Sequence, residues 1–323
     1  MNVDLKKFAV FLIIAVYIVF MDSFLYAYVL QGPHVLDLTV KNLGNAKSLY
    51  VAHKIVFYRS DPIDDSRRTF PGSESNQPQD AYHRTDDSNL IPDIIDDEIK
   101  METEPMELEG SLRFIFSQAF RSDTRSNDSE RVFIFAEGKT LTLIDGNRIP
   151  GAENRFDLFK DPLLYHTREG LVERLLQLGV DVSISSLGRF EEKIAFVIGA
   201  QYPDETVSQI WVDQDTFLPL RLIIKGFNPT GELDTFEFRY HVWWKIGKTR
   251  YPSRIEFYQD GNLVRVNQAL NFEENASFSE ELFDIDYLKT VFNQAPLQPI
   301  VPGEPEEPSE VEKTIEEFRR IFE

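Results

Sequence analysis

The sequence predicts an α+β protein that is mainly β: a single strongly curved antiparallel sheet forming an unclosed β-barrel, with helices covering its concave face. Three observations predict this. First, short runs rich in β-branched and aromatic residues follow one another at 194–200, 207–213, 218–225, 235–244, 252–258 and 263–270, separated by turn residues such as Asn228-Pro229-Thr230-Gly231 and Gln259-Asp260-Gly261-Asn262. Strands joined this closely are antiparallel neighbours, because a parallel crossover takes a dozen or more residues. Second, six similar runs lie at 51–58, 110–116, 119–124, 131–136, 139–144 and 180–187. Third, two amphipathic segments interrupt them, at 32–50 and 163–178. Helices need apolar surface to cover, so one curved sheet with a concave face fits better than two stacked sheets.

In chain order, Lys6-Lys7 precede an apolar run from Phe8 to Met21, the length of a signal-peptide core rather than of a membrane span. Residues 1–27 read as an export signal cleaved near Ala27; the alternative is an uncleaved anchor in the inner membrane, facing the periplasm. In the helix expected over 32–50, Pro33 suits the first turn and Val35, Leu38, Leu43, Ala46 and Leu49 keep helical spacing. Residues 60–107 are crowded with Asp, Glu, Ser and Pro, a composition that offsets too little backbone entropy to order itself, and read as a solvated acidic insertion. The helix expected over 163–178 carries Leu164, Leu171, Leu175 and Leu178 on one stripe; Gly170 marks a break within it and Gly179 ends it. Residues 28–294 form one domain. Beyond it, 295–323 combine a Pro-rich linker with a short amphipathic helix bearing Val311, Ile315, Phe318 and Phe322.

Bulk composition narrows the function. The 323 residues are 42% hydrophobic, enough for a sizeable core. A net charge of −20 argues against nucleic acid and against unaided adsorption to anionic lipid. The absence of cysteine rules out disulfides, thiol catalysis, zinc–thiolate sites and a lipid-modified N-terminal cysteine.

No catalytic constellation emerges. His34, His53, His83, His166 and His241 lack metal-ligand spacing. Asp213 and Asp215 fall where a hairpin turn is needed, and Asp284 and Asp286 where the chain turns again. Ser185-Ser186-Leu187-Gly188 lacks the glycine that a nucleophile elbow requires. The expectation is a non-enzymatic protein without metal or cofactor. Trp243 and Trp244, adjacent on a strand, are expected on opposite faces.

The order of elements resembles the periplasmic lipoprotein-carrier family, the LolA/LolB-like proteins. An export signal and a helix lead into a first strand, then come Gly110-Ser111-Leu112-Arg113-Phe114, the hairpin Glu137-Gly138-Lys139-Thr140-Leu141, a mid-chain helix, the strand pair Ile210 to Arg221, and Leu282-Phe283-Asp284-Ile285. The resemblance covers roughly 30–290 apart from the acidic insertion; that insertion and the Pro-linked tail depart from the family pattern. It implies an exported periplasmic monomer that shields the acyl chains of a lipid or lipoprotein between sheet and helical lid. An inner-membrane lipoprotein exporter and an outer-membrane receptor would be its partners. It also implies an arginine that latches the lid, for which Arg113 and Arg121 are the candidates. The residues expected to meet acyl chains are Leu38, Leu112, Phe114, Phe116, Val132, Ile134, Leu164, Leu171, Leu175, Phe236, Phe238 and Tyr240; the same residues also serve simply to pack helices on the sheet. The competing expectations are an envelope sensor or scaffold working through its surface, and a secreted hydrolase.

Overall fold

A computed structural model of the chain describes residues 29–58, 106–126, 129–150, 153–227 and 233–292. The expected export signal, nearly all of the acidic insertion and the Pro-linked tail lie outside them. Helix α1 (Gly32–Leu43) opens the described chain, followed by β1 (Ser48–Phe57), β2 (Met106–Ile115), β3 (Ala119–Arg125), β4 (Glu130–Ala136), β5 (Lys139–Ile144) and β6 (Asn147–Ile149). A 3-10 turn (Arg155–Lys160), α2 (Asp161–Leu164) and α3 (Arg168–Gln177) come next. Then follow β7 (Ser185–Phe190), β8 (Lys193–Ile198), β9 (Gln209–Asp213), β10 (Pro219–Phe227), β11 (Leu233–Ile246), β12 (Thr249–Gln259) and β13 (Asn262–Glu274), and finally a 3-10 turn (Glu280–Leu282) and α4 (Ile285–Val291).

All thirteen strands belong to one antiparallel, unclosed sheet in the order β6-β5-β4-β3-β2-β1-β13-β12-β11-β10-β9-β8-β7. Two meanders, β1–β6 and β7–β13, are sewn together where β1 pairs with β13. The pairing puts β6 and β7, consecutive in the chain, at opposite edges. The segment 150–184 therefore crosses from one edge to the other, and its residues Phe156, Leu158, Phe159, Leu163, Leu164, Leu171 and Leu175 join the main core. Helix α1 lies on the same face, contributing Val35, Leu36, Val40 and Leu43. Alternation along the strands supplies the rest: Leu49 and Val51 on β1, Leu112 and Phe114 on β2, Phe236, Phe238 and Tyr240 on β11.

The opposite face has its own cover. Val132, Ile134 and Ala136 of β4, with Leu141 and Leu143 of β5, pack against Phe283, Ile285 and Leu288 of the C-terminal segment. Phe133 on the same strand turns inward to the main core, as a period of two requires.

Several boundaries differ from expectation for local reasons. Helix α1 stops at Leu43 rather than reaching 50, because Gly44 takes φ 111°. A Cβ there would lie 2.1 Å from the Lys248 carbonyl oxygen, so the close approach to β12 excludes a side chain. Leu49 and Tyr50, which share helical spacing with α1, are strand residues. The expected 163–178 helix is two helices, and the break falls at Tyr165–Thr167 rather than at Gly170; Thr167 caps α3 by accepting from the Gly170 N–H (3.3 Å). β2 begins at Met106, so Met106 and Glu107 belong to the sheet and not to the insertion. β7 starts at Ser185 rather than Val180. The short β6 and the 3-10 turn at 155–160 were not expected, and the chain after Asp284 forms a short helix. Asp284 caps it, accepting from the Tyr287 N–H at 2.9 Å.

Phe159 is fully buried under the sheet. Phe159→Ala is expected to destabilise the fold by about 3–5 kcal/mol, the range for emptying an aromatic core site. A urea titration checks this; a loss below about 1 kcal/mol would show that the crossing segment is not packed as described.

Candidate functional site

The candidate site is the inner face of the sheet together with the segment lying across it. That segment is fastened by polar contacts placed inside the apolar interior. Arg131 of β4 meets Asp157 of the 3-10 turn with both carboxylate oxygens engaged, Nη1 to Oδ1 at 3.1 Å and Nη2 to Oδ2 at 2.6 Å, both side chains buried. Tyr240 Oη donates to the Phe159 carbonyl at 2.9 Å. Lys160 pairs with Glu153 and with Asp161 (3.0 Å), and Arg174 of α3 pairs with the same two carboxylates, reaching Asp161 Oδ2 at 2.8 Å. This four-residue network binds the turn, α2 and α3 into one unit. Burial alone would raise the Glu153 carboxyl, but Lys160 and Arg174 outweigh it and hold the group below its ordinary range. Asp161, wholly buried, goes the other way, because burial outweighs the same two cations.

Around these fasteners the filling is aromatic. Phe156 meets Phe236 edge-on at 5.2 Å, and Phe159 meets Phe257 at 5.3 Å and Phe120 at 6.1 Å. The Lys160 ammonium lies within 6 Å of the Phe120, Phe133 and Phe135 rings. The inner face is thus occupied by the protein's own side chains. A hollow of about 540 Å³ opens at the far rim, but Asn45, Lys47, Ser48, Lys248, Asn275 and Ser277 give it a polar lining.

Of the twelve residues expected to meet acyl chains, the structure brings nine to this interior. Leu112, Phe114, Leu164, Leu171, Leu175, Phe236, Phe238 and Tyr240 are in the main core, and Phe116 packs at its margin, stacked on His166 with 3.8 Å between ring centres. Val132 and Ile134 are not among them, because strand alternation turns them to the opposite face under α4. Leu38 is half-buried on the flank of α1, off the stripe of Val35, Leu36, Val40 and Leu43.

Arg113 and Arg121 do not latch the helices over the inner face. Both point to the opposite face, where they share Asp123, and Arg121 Nη1 donates to the Leu282 carbonyl at 3.0 Å, fastening the C-terminal turn instead. The interior cations are Arg131, Lys160, Arg174 and Arg265. The sequence carried one signal for them: Arg155-Phe156-Asp157-Leu158-Phe159-Lys160-Asp161 alternates charges with apolar residues in a stretch that must be buried to cross the sheet.

Asp213 is a turn residue, its Oδ1 accepting from the N–H groups of Asp215 (3.0 Å) and Thr216 (2.9 Å). Asp286 pairs with Lys139 on the surface at 2.6 Å. Trp243 packs against the core while Trp244 is exposed beside Phe272. Among the described residues there is no group of three or more His, Cys, Asp or Glu able to hold a metal ion, and no helix long and apolar enough to cross a membrane.

No family model matches the chain, and no curated protein does. Solved structures of similar fold do exist. A putative outer-membrane lipoprotein-sorting protein domain from Vibrio parahaemolyticus is 9% identical, with a TM-score of 0.45 over 79% of this chain and 97% of that one. A DUF1329 family protein from Desulfovibrio piger is 12% identical, with a TM-score of 0.45 over 80% of this chain and 98% of the other. A LolA superfamily protein from Nitrosomonas europaea is 10% identical, with a TM-score of 0.39 over 80% and 99%.

Two measurements probe the interior. Removing Asp157 strands the buried Arg131 cation, so Asp157→Ala is expected to cost about 3–5 kcal/mol in urea unfolding, whereas loss of a well-exposed pair changes little. His53 is fully buried, and burial, with the nearby Arg265 charge, pushes its imidazole down to about 3. The unfolded chain takes up that proton near pH 6.5 and the folded chain does not until about pH 3, so stability is complete above pH 6.5 and falls as pH drops towards 3. The slope from this group is about 1.4 kcal/mol per pH unit. His53→Gln is expected to flatten the stability profile between pH 6 and 4 by roughly that amount; an unchanged slope would refute burial of the neutral ring.

Proposed function

We propose that this protein is a non-enzymatic acyl-chain carrier of the cell envelope, exported to the periplasm. It holds the chains of a lipid or lipoprotein between the sheet's inner face and the segment 153–177, receiving its cargo at the inner membrane and yielding it at the outer. The observation that supports the reading is the edge-to-edge crossing. An apolar sheet face is covered by helix α1 and one long crossing stretch rather than by a second sheet, and that stretch can be displaced without dismantling a strand pair.

The energetics are compatible with exchange. Each CH2 of an acyl chain leaving water gains about 0.8 kcal/mol, so a sixteen-carbon chain gains on the order of 12 kcal/mol. Each apolar side chain that it displaces gives up about 1.5–3 kcal/mol. Phe156, Phe159, Leu163, Leu164, Leu171 and Leu175 together represent a comparable sum, so the chain and the protein's own filling compete on nearly equal terms. The polar fasteners then set the balance between closed and loaded states.

The test is native mass spectrometry of periplasmic protein purified without detergent, paired with displacement of a fluorescent fatty acid by a triacylated peptide. Co-purified lipid mass and saturable displacement are expected. Absence of both would refute the carrier reading.

A further inference from the structure

Among the described residues on the inner face, one cation lacks a directly paired carboxylate. Arg131 is matched by Asp157, and Lys160 and Arg174 by Glu153 and Asp161. Arg265 of β13 is only 2% exposed and makes no direct ion pair with a described carboxylate; Asp157, already held by both Arg131 nitrogens, favours its charge from beyond contact. Its one hydrogen bond runs from Nε to Asn267 Oδ1, at 2.7 Å. Its guanidinium sits among aromatic faces, 4.5 Å from the Phe257 ring centre and 5.4 Å from that of Phe57. Such contacts offset part of the burial of a cation but accept no N–H hydrogen bonds.

The neighbouring polar side chains also carry nitrogens without partners. Asn267, 3% exposed, has no acceptor for its Nδ2 hydrogens, and His53, 2% exposed, has no partner for either ring nitrogen. The sheet register brings them together. Across the β1–β13 ladder Phe57 opposes Arg265, Ile55 opposes Asn267 and His53 opposes Ala269, so all point inward and His53 is the diagonal neighbour of Asn267. The His53 ring rests against the backbone of Gly110, where a Cβ would come within 2.3 Å of Nε2. Buried polar groups are almost always satisfied, and a buried charge is normally paired. Three inward-facing groups break both rules at one place, on the two strands at the middle of the sheet. Their shared deficiency is an acceptor bearing negative charge.

We propose that Arg265, Asn267 and His53 form an anion site on the inner face, which takes the carboxylate or phosphate group of the carried amphiphile. The inference rests on the carrier reading and adds the class of cargo, an acyl chain with an anionic head. Arg265 supplies the charge, Asn267 Nδ2 a neutral donor, and His53, uncharged, one ring N–H.

Four probes that separate chain from charge test this with the full chain: hexadecanoate, hexadecyl phosphate, hexadecanol and inorganic phosphate, each competing against a fluorescent fatty acid. The two anionic amphiphiles are expected to bind at least about tenfold tighter than hexadecanol, as a hydrogen bond to a charged group implies. Two variants follow. Arg265→Met removes the charge and fills the aromatic surroundings with an apolar chain of similar length. Asn267→Asp installs the missing counter-ion beside Arg265 with almost no change of shape. Both are expected to bring the ratio of anionic to neutral affinity close to one while hexadecanol still binds, and Arg265→Lys to keep part of the preference. Equal affinity of the wild-type protein for acid and alcohol would overturn the site and leave the carrier reading standing, as would an unchanged preference in both variants. Inorganic phosphate binding as tightly as hexadecyl phosphate would overturn the assignment to an amphiphile. If no chain-bearing probe binds, the carrier reading and the anion site fall together.

Discussion

The pairing of β1 with β13 is the constraint on which the rest of the structure depends. Each meander on its own would be an ordinary run of hairpins, with neighbouring strands close in sequence. Joining their first and last strands puts β6 and β7 at the two free edges, and the link between them becomes a strap that must span the whole sheet. The strap cannot run through solvent, because its Phe156, Leu158, Phe159, Leu163 and Leu164 are apolar. It lies on the inner face for the same reason that any amphipathic segment seeks an apolar surface.

A strap buried continuously from Phe156 to Leu164 brings polar backbone and charges inside. The structure meets this by pairing. Arg131 with Asp157, the Glu153–Lys160–Asp161–Arg174 network and the Tyr240 hydroxyl at the Phe159 carbonyl are not expected to add much net stability, because desolvating ions offsets most of the Coulomb attraction. Their effect is positional: the strap sits in one register over the sheet rather than sliding on an undifferentiated apolar surface. Against that background of matched charges, Arg265 stands out as the one interior cation that the described residues leave unmatched.

Much of this was legible in the sequence. The strand runs and turn residues of the second meander follow the expected hairpins closely, since alternation and turn chemistry are local signals. The first errors came where a local pattern is shared by two structures. Leu49 and Tyr50 keep helical spacing with Val35 and Leu43, yet Gly44 ends the helix because of its approach to Lys248, a contact across the fold. The nine residues that lie in the interior were found from alternation within strands and from the leucine stripe of the mid-chain helices. Val132 and Ile134 were misplaced because alternation says which residues share a face but not which face is inner; α4, approaching from the end of the chain, decides that. Arg113 and Arg121 failed for the same reason. The unmatched Arg265 could not have been seen in advance, since its isolation is a property of the partners that other strands and the strap do not offer.

The central pairing also orders events in time. Lys47 meets Asn275 across 228 residues of chain, and the β1–β13 ladder continues from there. While the polypeptide is being made, the strands up to β6 can form their hairpins, but the middle of the sheet lacks its partner and the strap has only half a surface to lie on. Long-range pairing of this kind makes folding slow and holds apolar faces open until the last strand arrives. The protein is thus built so that the cover of its first half cannot settle until its last strand is in place.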